Sequence, residues 1–404
     1  MLKAIKIRLY PTETQQTTIN KLLGCCRLVY NLCLEHRNRV YEETKESGSL
    51  SKSYKYFCEL KEMEEYSFLK TDAHSKVIQQ SLRDQDVAFK NFFTKKSKFP
   101  KFKSKKDNEQ KCRFPNDAIS GIKGNRINII KSLKDIHFKC SRKDESYLNK
   151  NYLNKNQGLI VHGTLTKTCS GKYYFSILID KPHEVRFNKI NNVVGIDLGI
   201  KDLIITSNGE KFENKQFYRK QENKLKKLNR KFAKTQLTSK NHQKIRVKIA
   251  KLNEKIKNQR LWYIHHIVNQ LLNENQVIVM EDLNISGMMQ NHKLAKSIQD
   301  VSFCELKRIL QYKASWNDKQ VIFIDRFYPS SKLCSGCGYK KDDLQLSDRE
   351  WVCPECGTVH DRDINAAKNI LEEGKRIIGL SSPEFKRVGE QAIASSVNLE
   401  RNVK

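Results

Sequence analysis

Four cysteines in the C-terminal third of the chain have the spacing of a metal site. They form two pairs, Cys334 with Cys337 and Cys353 with Cys356, in the pattern C-x2-C-x15-C-x2-C. Each pair can present two thiolates from one tight turn. Four thiolates complete the tetrahedral shell of Zn²⁺ at about 2.3 Å and leave no position for a substrate. The spacing therefore favours one structural zinc ion in a zinc ribbon, with an iron–sulfur cluster or a redox pair as the alternatives.

A second group of chemically capable residues consists of carboxylates beside apolar segments. Asp197 ends the apolar run VVGID, and Glu281 and Asp282 follow the run VIVM. Asp361 and Asp363 precede the amphipathic segment NAAKNIL. Burying a carboxylate without a partner is costly, and the crevice beyond the strand ends is where open α/β sheets place their sites. Any one of these acids alone is more often a helix cap or a surface acid, whereas the set together favours a functional site.

Three such carboxylates together predict a two-metal phosphodiester site. Two Mg²⁺ or Mn²⁺ ions about 4 Å apart activate the attacking water and stabilise the leaving 3′ oxygen in sites of this kind. These hard cations take oxygen ligands, which explains Asp and Glu rather than Cys or His. The residues alone leave open whether Glu281 or Asp282, and whether Asp361 or Asp363, belongs to the site. They predict a metal-dependent nuclease.

The elements that must position these carboxylates alternate between strands and helices. Segments 193–212, 276–283 and 320–327 contain the apolar runs of buried strands, and 301–316 has a helical pattern. Strands of this kind that alternate with helices predict an α/β sheet.

A strongly cationic helical segment, about 215–273, lies between the first two of these strand segments. Between residues 215 and 260 it holds 17 Lys and Arg but only 2 Glu. Narrow apolar seams in its two halves predict two helices paired as a hairpin. Because a solvated coiled-coil face would mix both signs of charge, we expect nucleic-acid contact here.

The N-terminal half follows a different pattern. Residues 3–9 alternate charged and apolar side chains as a half-buried strand does, and short β-like runs recur over 112–187. Between them, residues 14–93 place apolar side chains at helical spacings. We therefore expect a small β-barrel or sandwich that includes the opening strand and carries a helical insertion.

A cationic loop, KKSKFPKFKSKK at 95–106, follows the predicted helices. Pro100 excludes a continuous helix, and cations mixed with aromatic residues suit contact with a nucleic-acid backbone and its bases. A solvated lysine loop is the alternative. The candidate nucleic-acid contacts are Lys95, Lys96, Lys98, Lys101, Lys103, Lys105 and Lys106.

The charge of the whole chain agrees with a polyanionic partner. Its 404 residues include 76 Lys and Arg against 45 Asp and Glu, a formal net charge of +31. Each phosphate that a protein neutralises releases counterions, so such an excess favours nucleic-acid binding over a merely soluble basic protein. No run approaches the ~18 apolar residues of a membrane span, and the N-terminus lacks the apolar run of a secretory signal.

Several motifs of the chain resemble one family. GIDLGIKDLIITSNG, VIVMEDLNISGM, DRFYPSSKLCSGCG and CGTVHDRDINAAKNIL, in that order, resemble the RuvC-like nuclease and inserted zinc ribbon of TnpB, the RNA-guided endonuclease of insertion sequences. The N-terminal KAIKIRLYPT, GCCRLVYN and QSLRDQDVAFKNFFTKKSKFPKFKSKK are similar to that family too. The resemblance spans residues 1 to about 375, with Phe303 a small departure where the family tends to carry Trp.

This resemblance implies a site and a division into domains. The catalytic ligands of two Mg²⁺ or Mn²⁺ ions would be Asp197, Glu281 and Asp363, with one structural Zn²⁺ on the four cysteines. The fold class is multidomain, α+β and α/β. The expected parts are a β-barrel wedge domain (1–13 and 107–187), a helical recognition insertion (14–106), an RNase H-like RuvC α/β nuclease domain (188–328 and 361–375), the zinc ribbon (329–360) and a disordered tail (376–404).

The resemblance also implies partners. These are a guide RNA from the transposon end and a double- and single-stranded DNA target beside a short flanking motif, with base pairing reading the rest of the target. We expect a monomer in the prokaryotic cytoplasm, associated with the nucleoid. A nuclease-silent RNA-guided regulator and a miniature type V CRISPR effector are the alternatives, and the presence of every expected carboxylate disfavours the first.

Overall fold

The computed structural model places most of the chain in two compact units. The described residues are 2–107, 109–141, 148, 160–180, 192–345 and 347–379. One unit comprises Met1–His183 with Thr238–Lys251, and the other comprises Glu184–Leu237 with Leu252–Lys404. The predicted boundary at 187/188 and nearly all of the predicted tail lie outside the described residues. Within the described part, no helix is long and apolar enough to cross a membrane.

Seven strands of the first unit form one antiparallel sheet. They are β1 Leu2–Tyr10, β2 Glu109–Pro115, β3 Gly121–Lys123, β4 Arg126–Asn128, β5 Ile136–Lys139, β6 Ile160–Thr168 and β7 Tyr173–Asp180. Their order is β2-β6-β7-β1-β5-β4-β3, so the opening strand pairs with strands more than a hundred residues later. No ladder between described residues joins the outer strands β2 and β3, so closure into a barrel stays a prediction.

Three helices separate β1 from β2 in the chain. They are α1 Glu13–Thr44, α2 Leu50–Glu62 and α3 Ser75–Phe93. A capping box starts α1, because Thr12 accepts from the Gln15 backbone while the Gln15 side chain accepts from the Thr12 amide. The apolar faces of these helices belong to the same core as the sheet. The first unit thus carries a helical segment packed on an antiparallel sheet.

The second unit contains a mixed five-stranded sheet. Its strands are β8 Val193–Asp197, β9 Asp202–Thr206, β10 Lys211–Glu213, β11 Val277–Glu281 and β12 Gln320–Ile324, in the order β10-β9-β8-β11-β12. β8, β11 and β12 are parallel, whereas β9 and β10 pair antiparallel. The turn after β9 uses Gly209 at φ +89°, as the Asn-Gly pair predicts. The parallel strands are apolar because helices cover the sheet.

Six helices of the described residues follow β10 in the chain, and residues 240–251 of the second of them cluster with the first unit. They are α4 Phe217–Ala233, α5 Lys240–Glu274, α6 Ile285–Met288, α7 His292–Val301, α8 Phe303–Trp316 and α9 Arg362–Ile377. The cationic segment therefore holds two helices, as predicted, and their pairing as a hairpin stays a prediction. Phe303, the residue that departs from the resembled family, is 1% exposed in the core of the second unit.

The end of α9 lies at the start of the predicted tail, 376–404. The sequence loses its clear period near Gly374, yet α9 continues to Ile377. A Cβ at Gly374 would lie 2.4 Å from the side chain of Val279, so the absence of a side chain lets the helix approach β11. Arg376 pairs with Glu373 in the same turn. Close packing and local ion pairs thus extend the helix past the predicted end.

Candidate active site and metal centre

Two of the predicted carboxylates end neighbouring parallel strands. In the ladder of β8 and β11, Ile196 lies opposite Met280, so Asp197 and Glu281 come next on their strands at the same edge of the sheet. Parallel strands bring their carboxyl ends together. Residues that are far apart in the chain therefore lie on adjacent strands at one edge of the sheet.

The third carboxylate, Asp363, begins α9, and a glycine allows this helix to come close. A Cβ on Gly195 would lie 2.2 Å from the carbonyl oxygen of Ala367 and 2.7 Å from the amide nitrogen of Leu371. Gly195 precedes Asp197 by two residues, and Ala367 follows Asp363 by one helical turn. The backbones of β8 and α9 are thus in direct contact, which brings Asp363 towards Asp197.

The electrostatics of Asp197 reflect this convergence. Burial, followed by the negative charges of Glu281 and Asp363, raises the pKa of the Asp197 carboxyl to about 7. Burial also raises the pKa of Glu281, against a hydrogen bond that its Oε1 accepts from Ser330 Oγ at 2.5 Å. Like charges held together in a desolvated crevice are unfavourable unless a proton or a cation joins them.

One neighbouring acid, Asp361, has structural partners instead. It caps α9 by accepting from the amides of Asp363 and Ile364, and Lys211 lies 2.6 Å from its other oxygen. Burial opposes ionisation of Asp361, but these hydrogen bonds lower its pKa overall. Helix capping therefore explains the position of Asp361 without a role as a metal ligand.

Asp282 likewise is engaged by other residues. Its two oxygens pair with Lys307 and with Arg326 Nη2, the latter at 2.9 Å. The hydrogen bond from Lys307, followed by its charge, lowers the pKa of Asp282. Asp363 has a cation too, since Arg349 Nη1 lies 3.3 Å from its Oδ2. These contacts favour Glu281 over Asp282 as the candidate ligand, a choice that residue types alone left open.

The three carboxylates fit the donor set of a divalent cation. Asp197, Glu281 and Asp363 are half-buried, so their oxygens are partly desolvated yet reachable. Mg²⁺ and Mn²⁺ prefer carboxylate oxygens, and a cation would relieve the repulsion that raises the pKa of Asp197. The donor type therefore suits these ions, although among the described residues the four cysteines are the group of three or more ligating side chains that lies close enough to hold one ion.

The four cysteines converge on one point. The sulfurs of Cys334 and Cys356 are 3.6 Å apart, those of Cys337 and Cys353 are also 3.6 Å apart, and all four lie within 4.8 Å of one another. Thiolates around a tetrahedral Zn²⁺ have separations of about 3.8 Å, from Zn–S bonds of about 2.3 Å. The protein thus contains a four-cysteine metal-binding group.

Each half of this group is a tight turn with the same hydrogen bonds. The amide of Gly338 donates to the carbonyl of Cys334, and the amide of Gly357 donates to that of Cys353. Both glycines have positive φ, +80° and +69°, which explains their place after the second cysteine of each pair. A two-stranded ladder, β13 Glu350–Val352 with β14 Val359–Asp361, supports the second turn. β14 leads directly into α9.

His360, on β14, extends the surroundings of the sulfurs. Its Nε2 lies 3.0 Å from the sulfur of Cys334, and its ring packs against Trp351 at 4.7 Å between centroids. Burial lowers the pKa of His360, which favours the neutral ring. Sequence reasoning missed this residue, because one histidine beside two cysteine pairs has no distinctive spacing.

Two buried asparagines of α9 were also missed. Asn365 and Asn369 are 1% and 6% exposed, and both donate to the backbone around the first cysteine turn. Their spacing of four residues in NAAKNI places them on one helix face, which is the signal that could have found them. Polar side chains at such positions need buried partners.

The candidate lysines of the loop 95–106 do not share one environment. Six of them are exposed, as are Phe93 and Phe102 at 66% and 57%. Lys103 differs: its ammonium lies 3.8 Å from the ring centre of Tyr30, and Asn31 binds its backbone amide and carbonyl. Burial lowers the pKa of Lys103. This lysine anchors the loop to α1.

Comparisons with known proteins agree on one family. A profile described as "Probable transposase" (OrfB_IS605) matches residues 176–292, a helix-turn-helix profile of the same group matches 1–46, and a "Cas12f1-like, TNB domain" profile matches 303–370. Among solved structures, a Cas12f1–sgRNA–target DNA complex aligns over 92% of this chain and 98% of that chain. The TM-score is 0.54 at 14% identity, so this likeness concerns the fold.

Full-length relatives are closer in sequence. A protein of Streptomyces pristinaespiralis named "Putative RNA-guided DNA endonuclease" is 34% identical over 92% of this chain and 89% of its own length. The Escherichia coli K12 protein with the same description, InsQ, is 30% identical over 93% of both chains. The chain therefore belongs to the TnpB family, the RNA-guided DNA endonucleases of insertion sequences.

Proposed function

We propose that this protein is an RNA-guided DNA endonuclease of a transposable element that cleaves target DNA beside a short flanking motif by two-metal-ion hydrolysis. Residues 188–328 and 361–375 would be its RNase H-like RuvC nuclease domain. One observation supports the proposal: Asp197 and Glu281 end adjacent parallel strands, and burial followed by the charges of Glu281 and Asp363 raises the pKa of Asp197. Family membership agrees with this chemistry.

In this proposal the three carboxylates hold two Mg²⁺ or Mn²⁺ ions, which activate water and stabilise the leaving 3′ oxygen when bound. Asp197 and Glu281 are oriented by their strands and Asp363 by α9, so the ligands come from rigid elements. Asp361 and Asp282 stay outside the ligand set because both oxygens of each are engaged: Asp361 caps α9 and pairs with Lys211, and Asp282 pairs with Lys307 and Arg326.

The four-cysteine group would hold one structural Zn²⁺ as a zinc ribbon. Its four thiolates fill a tetrahedral shell, so no position remains for chemistry. The group lies between β12 and α9 in the chain, and its last strand ends at Asp361, the cap of α9. Zinc binding would therefore help to define where α9 begins and where Asp363 points.

Guide RNA and DNA would contact the cationic surfaces. The exposed lysines of 95–106 together with Phe93 and Phe102 combine phosphate neutralisation with exposed rings for stacking. The seven-stranded sheet and the helices α1 to α3 would be the wedge domain and its recognition insertion, with the sheet closed as a barrel. We expect a monomeric protein bound to its RNA in a prokaryotic cytoplasm, near the nucleoid.

The test uses the full chain purified with its co-expressed RNA. The complex should cut a plasmid library that carries a matched target beside random flanking sequence, in the presence of Mg²⁺. Asp197→Ala should abolish cutting and retain RNA-dependent DNA binding. Tight guided binding by the native complex with no product in Mg²⁺ or Mn²⁺ would instead identify a nuclease-silent regulator. Unchanged cutting by Asp197→Ala would overturn the site.

A further inference from the structure

The segment after β12 connects the two metal groups through one buried serine. Ser330 is 6% exposed and lies four residues before Cys334. Its hydroxyl donates to Oε1 of Glu281 at 2.5 Å. A hydroxyl has a single proton to donate, so it engages one carboxylate oxygen and leaves Oε2 open.

α9 determines where this serine lies. Nδ2 of Asn369 donates to the carbonyl of Ser330 at 2.7 Å and to that of Leu333 at 2.7 Å. One turn earlier, Asn365 donates to the same Leu333 carbonyl at 2.6 Å and accepts from the amide of Ser335 at 2.9 Å. Buried amides that satisfy several backbone groups fix a segment firmly.

The segment 330–335 is therefore attached to the helix that carries Asp363, and it also contains Cys334. A displacement of α9 or of the first cysteine turn would move the Ser330 hydroxyl relative to Glu281. Two hydrogen bonds that share Ser330 connect Asn369 to Glu281. Each step is a direct hydrogen bond between described residues.

We propose that Ser330 is a positioning residue that orients Glu281 for metal binding, and that Asn369 sets the place of its hydroxyl. This inference rests on the proposed function, because it takes Glu281 as a ligand. Residues that hydrogen-bond a ligating carboxylate fix which oxygen faces the ion, and their loss typically weakens metal affinity by about 10- to 100-fold. These hydrogen bonds would link the position of Glu281, at the end of β11, to that of α9, which carries Asp363.

The chain offers a matched control in the next residue. Ser331 is half-buried and makes no side-chain hydrogen bond within the described part of the chain. Ser331→Ala removes the same hydroxyl group one position away. Ser330→Ala removes the donor, and Ser330→Cys keeps the side-chain volume while replacing the hydroxyl with a weak donor.

The experiment measures Mn²⁺ binding to the full chain freed of RNA by isothermal titration. It also measures the Mg²⁺ concentration for half-maximal guided cleavage by the RNA complex. Ser330→Ala and Ser330→Cys should raise the Mn²⁺ dissociation constant and the half-maximal Mg²⁺ concentration by about tenfold or more. Asn369→Ala should raise both quantities too. Guided DNA binding by the two Ser330 variants without added Mg²⁺ or Mn²⁺ should match that of Ser331→Ala. The cysteine variant keeps the test decisive if the alanine variant does not fold.

The inference is overturned if both Ser330 variants bind Mn²⁺ and respond to Mg²⁺ as Ser331→Ala does. Glu281→Gln separates this failure from failure of the proposed function. Loss of Mn²⁺ binding and cleavage in Glu281→Gln, with normal Ser330 variants, refutes only the positioning role. Normal binding and cleavage in Glu281→Gln would refute the ligand assignment itself.

Discussion

Gly195→Ala tests how closely the site depends on backbone contact. The added methyl group would meet the Ala367 carbonyl oxygen at 2.2 Å and the Leu371 amide nitrogen at 2.7 Å. Both are backbone atoms of α9, so no side-chain rotation can relieve the overlap. Either the helix or β8 must move, and overpacking of this kind costs about 3 kcal/mol, the upper end of its usual range.

The cost has two measurable consequences. For a unit of this size, about 3 kcal/mol corresponds to a fall in the unfolding midpoint of roughly 6–12 °C. Because α9 carries Asp363, a shift of about 1 Å at its start should also lower cleavage by on the order of 10²-fold. Thermal unfolding and guided plasmid cleavage by the RNA complex measure the two effects.

Two other glycines calibrate the result. At Gly374 the three atoms nearest to the added methyl group belong to the Val279 side chain rather than to backbone, so we expect Gly374→Ala to lose less stability than Gly195→Ala. Gly24, in α1, has open space within 4 Å of the point that an alanine methyl group would occupy, and its alanine variant should be neutral or up to about 1 kcal/mol more stable. Wild-type stability and cleavage in Gly195→Ala would refute the claimed contact between β8 and α9.

Further predictions concern protonation, zinc and the lysine loop. Because the pKa of Asp197 is raised to about 7 without metal, Mn²⁺ affinity should fall by roughly tenfold for each pH unit below 7 and level off above it. The raised pKa also means that the Asp197 carboxyl stabilises the metal-free fold at low pH, and that this contribution is lost as pH rises from about 3.8 to 7. The free energy of unfolding of Asp197→Asn, measured against pH, should lack this loss. A pH profile identical to that of the wild type would contradict the prediction. Trp351 is 5% exposed, and chelation of zinc or Cys337→Ser should expose it, which would shift its fluorescence emission to the red. Both changes should also abolish cleavage. Intact cleavage would show that the cysteine group does not position α9. Lys103→Ala should lower thermal stability through its contact with Tyr30, whereas the exposed Lys105→Ala should leave stability unchanged and weaken RNA binding with a smaller salt dependence; equal effects on stability would refute the distinction.

Much of the second unit could be predicted from local patterns. The apolar runs around Asp197 and Glu281 become β8 and β11, and the Asn208–Gly209 pair forms the turn after β9. The cysteine spacing predicted a group that the structure brings together within 4.8 Å. These features are predictable because period, turn chemistry and ligand spacing are properties of short segments.

Other features depend on contacts between distant segments. Residue types alone did not distinguish Asp361 from Asp363. The cap that Asp361 forms is local, whereas its Lys211 partner is brought to it only by the packing of β10 and α9. The role of Gly195 follows from the approach of a helix about 170 residues later, and the burial of Lys103 follows from Tyr30 of α1. These contacts join segments that are distant in the chain. The sequence therefore supplied candidate site residues but did not show which of them belong to the site.

The most direct test of the site compares three proposed ligands with two adjacent acids in guided cleavage by the purified RNA complex. Asp197→Ala, Glu281→Ala and Asp363→Ala should abolish cleavage and retain guided DNA binding. Asp361→Asn keeps a capping side chain and Asp282→Asn loses only its surface ion pairs, so both should still cleave. Cleavage by Asp363→Ala, or its loss in Asp361→Asn with normal folding, would contradict the three-carboxylate site.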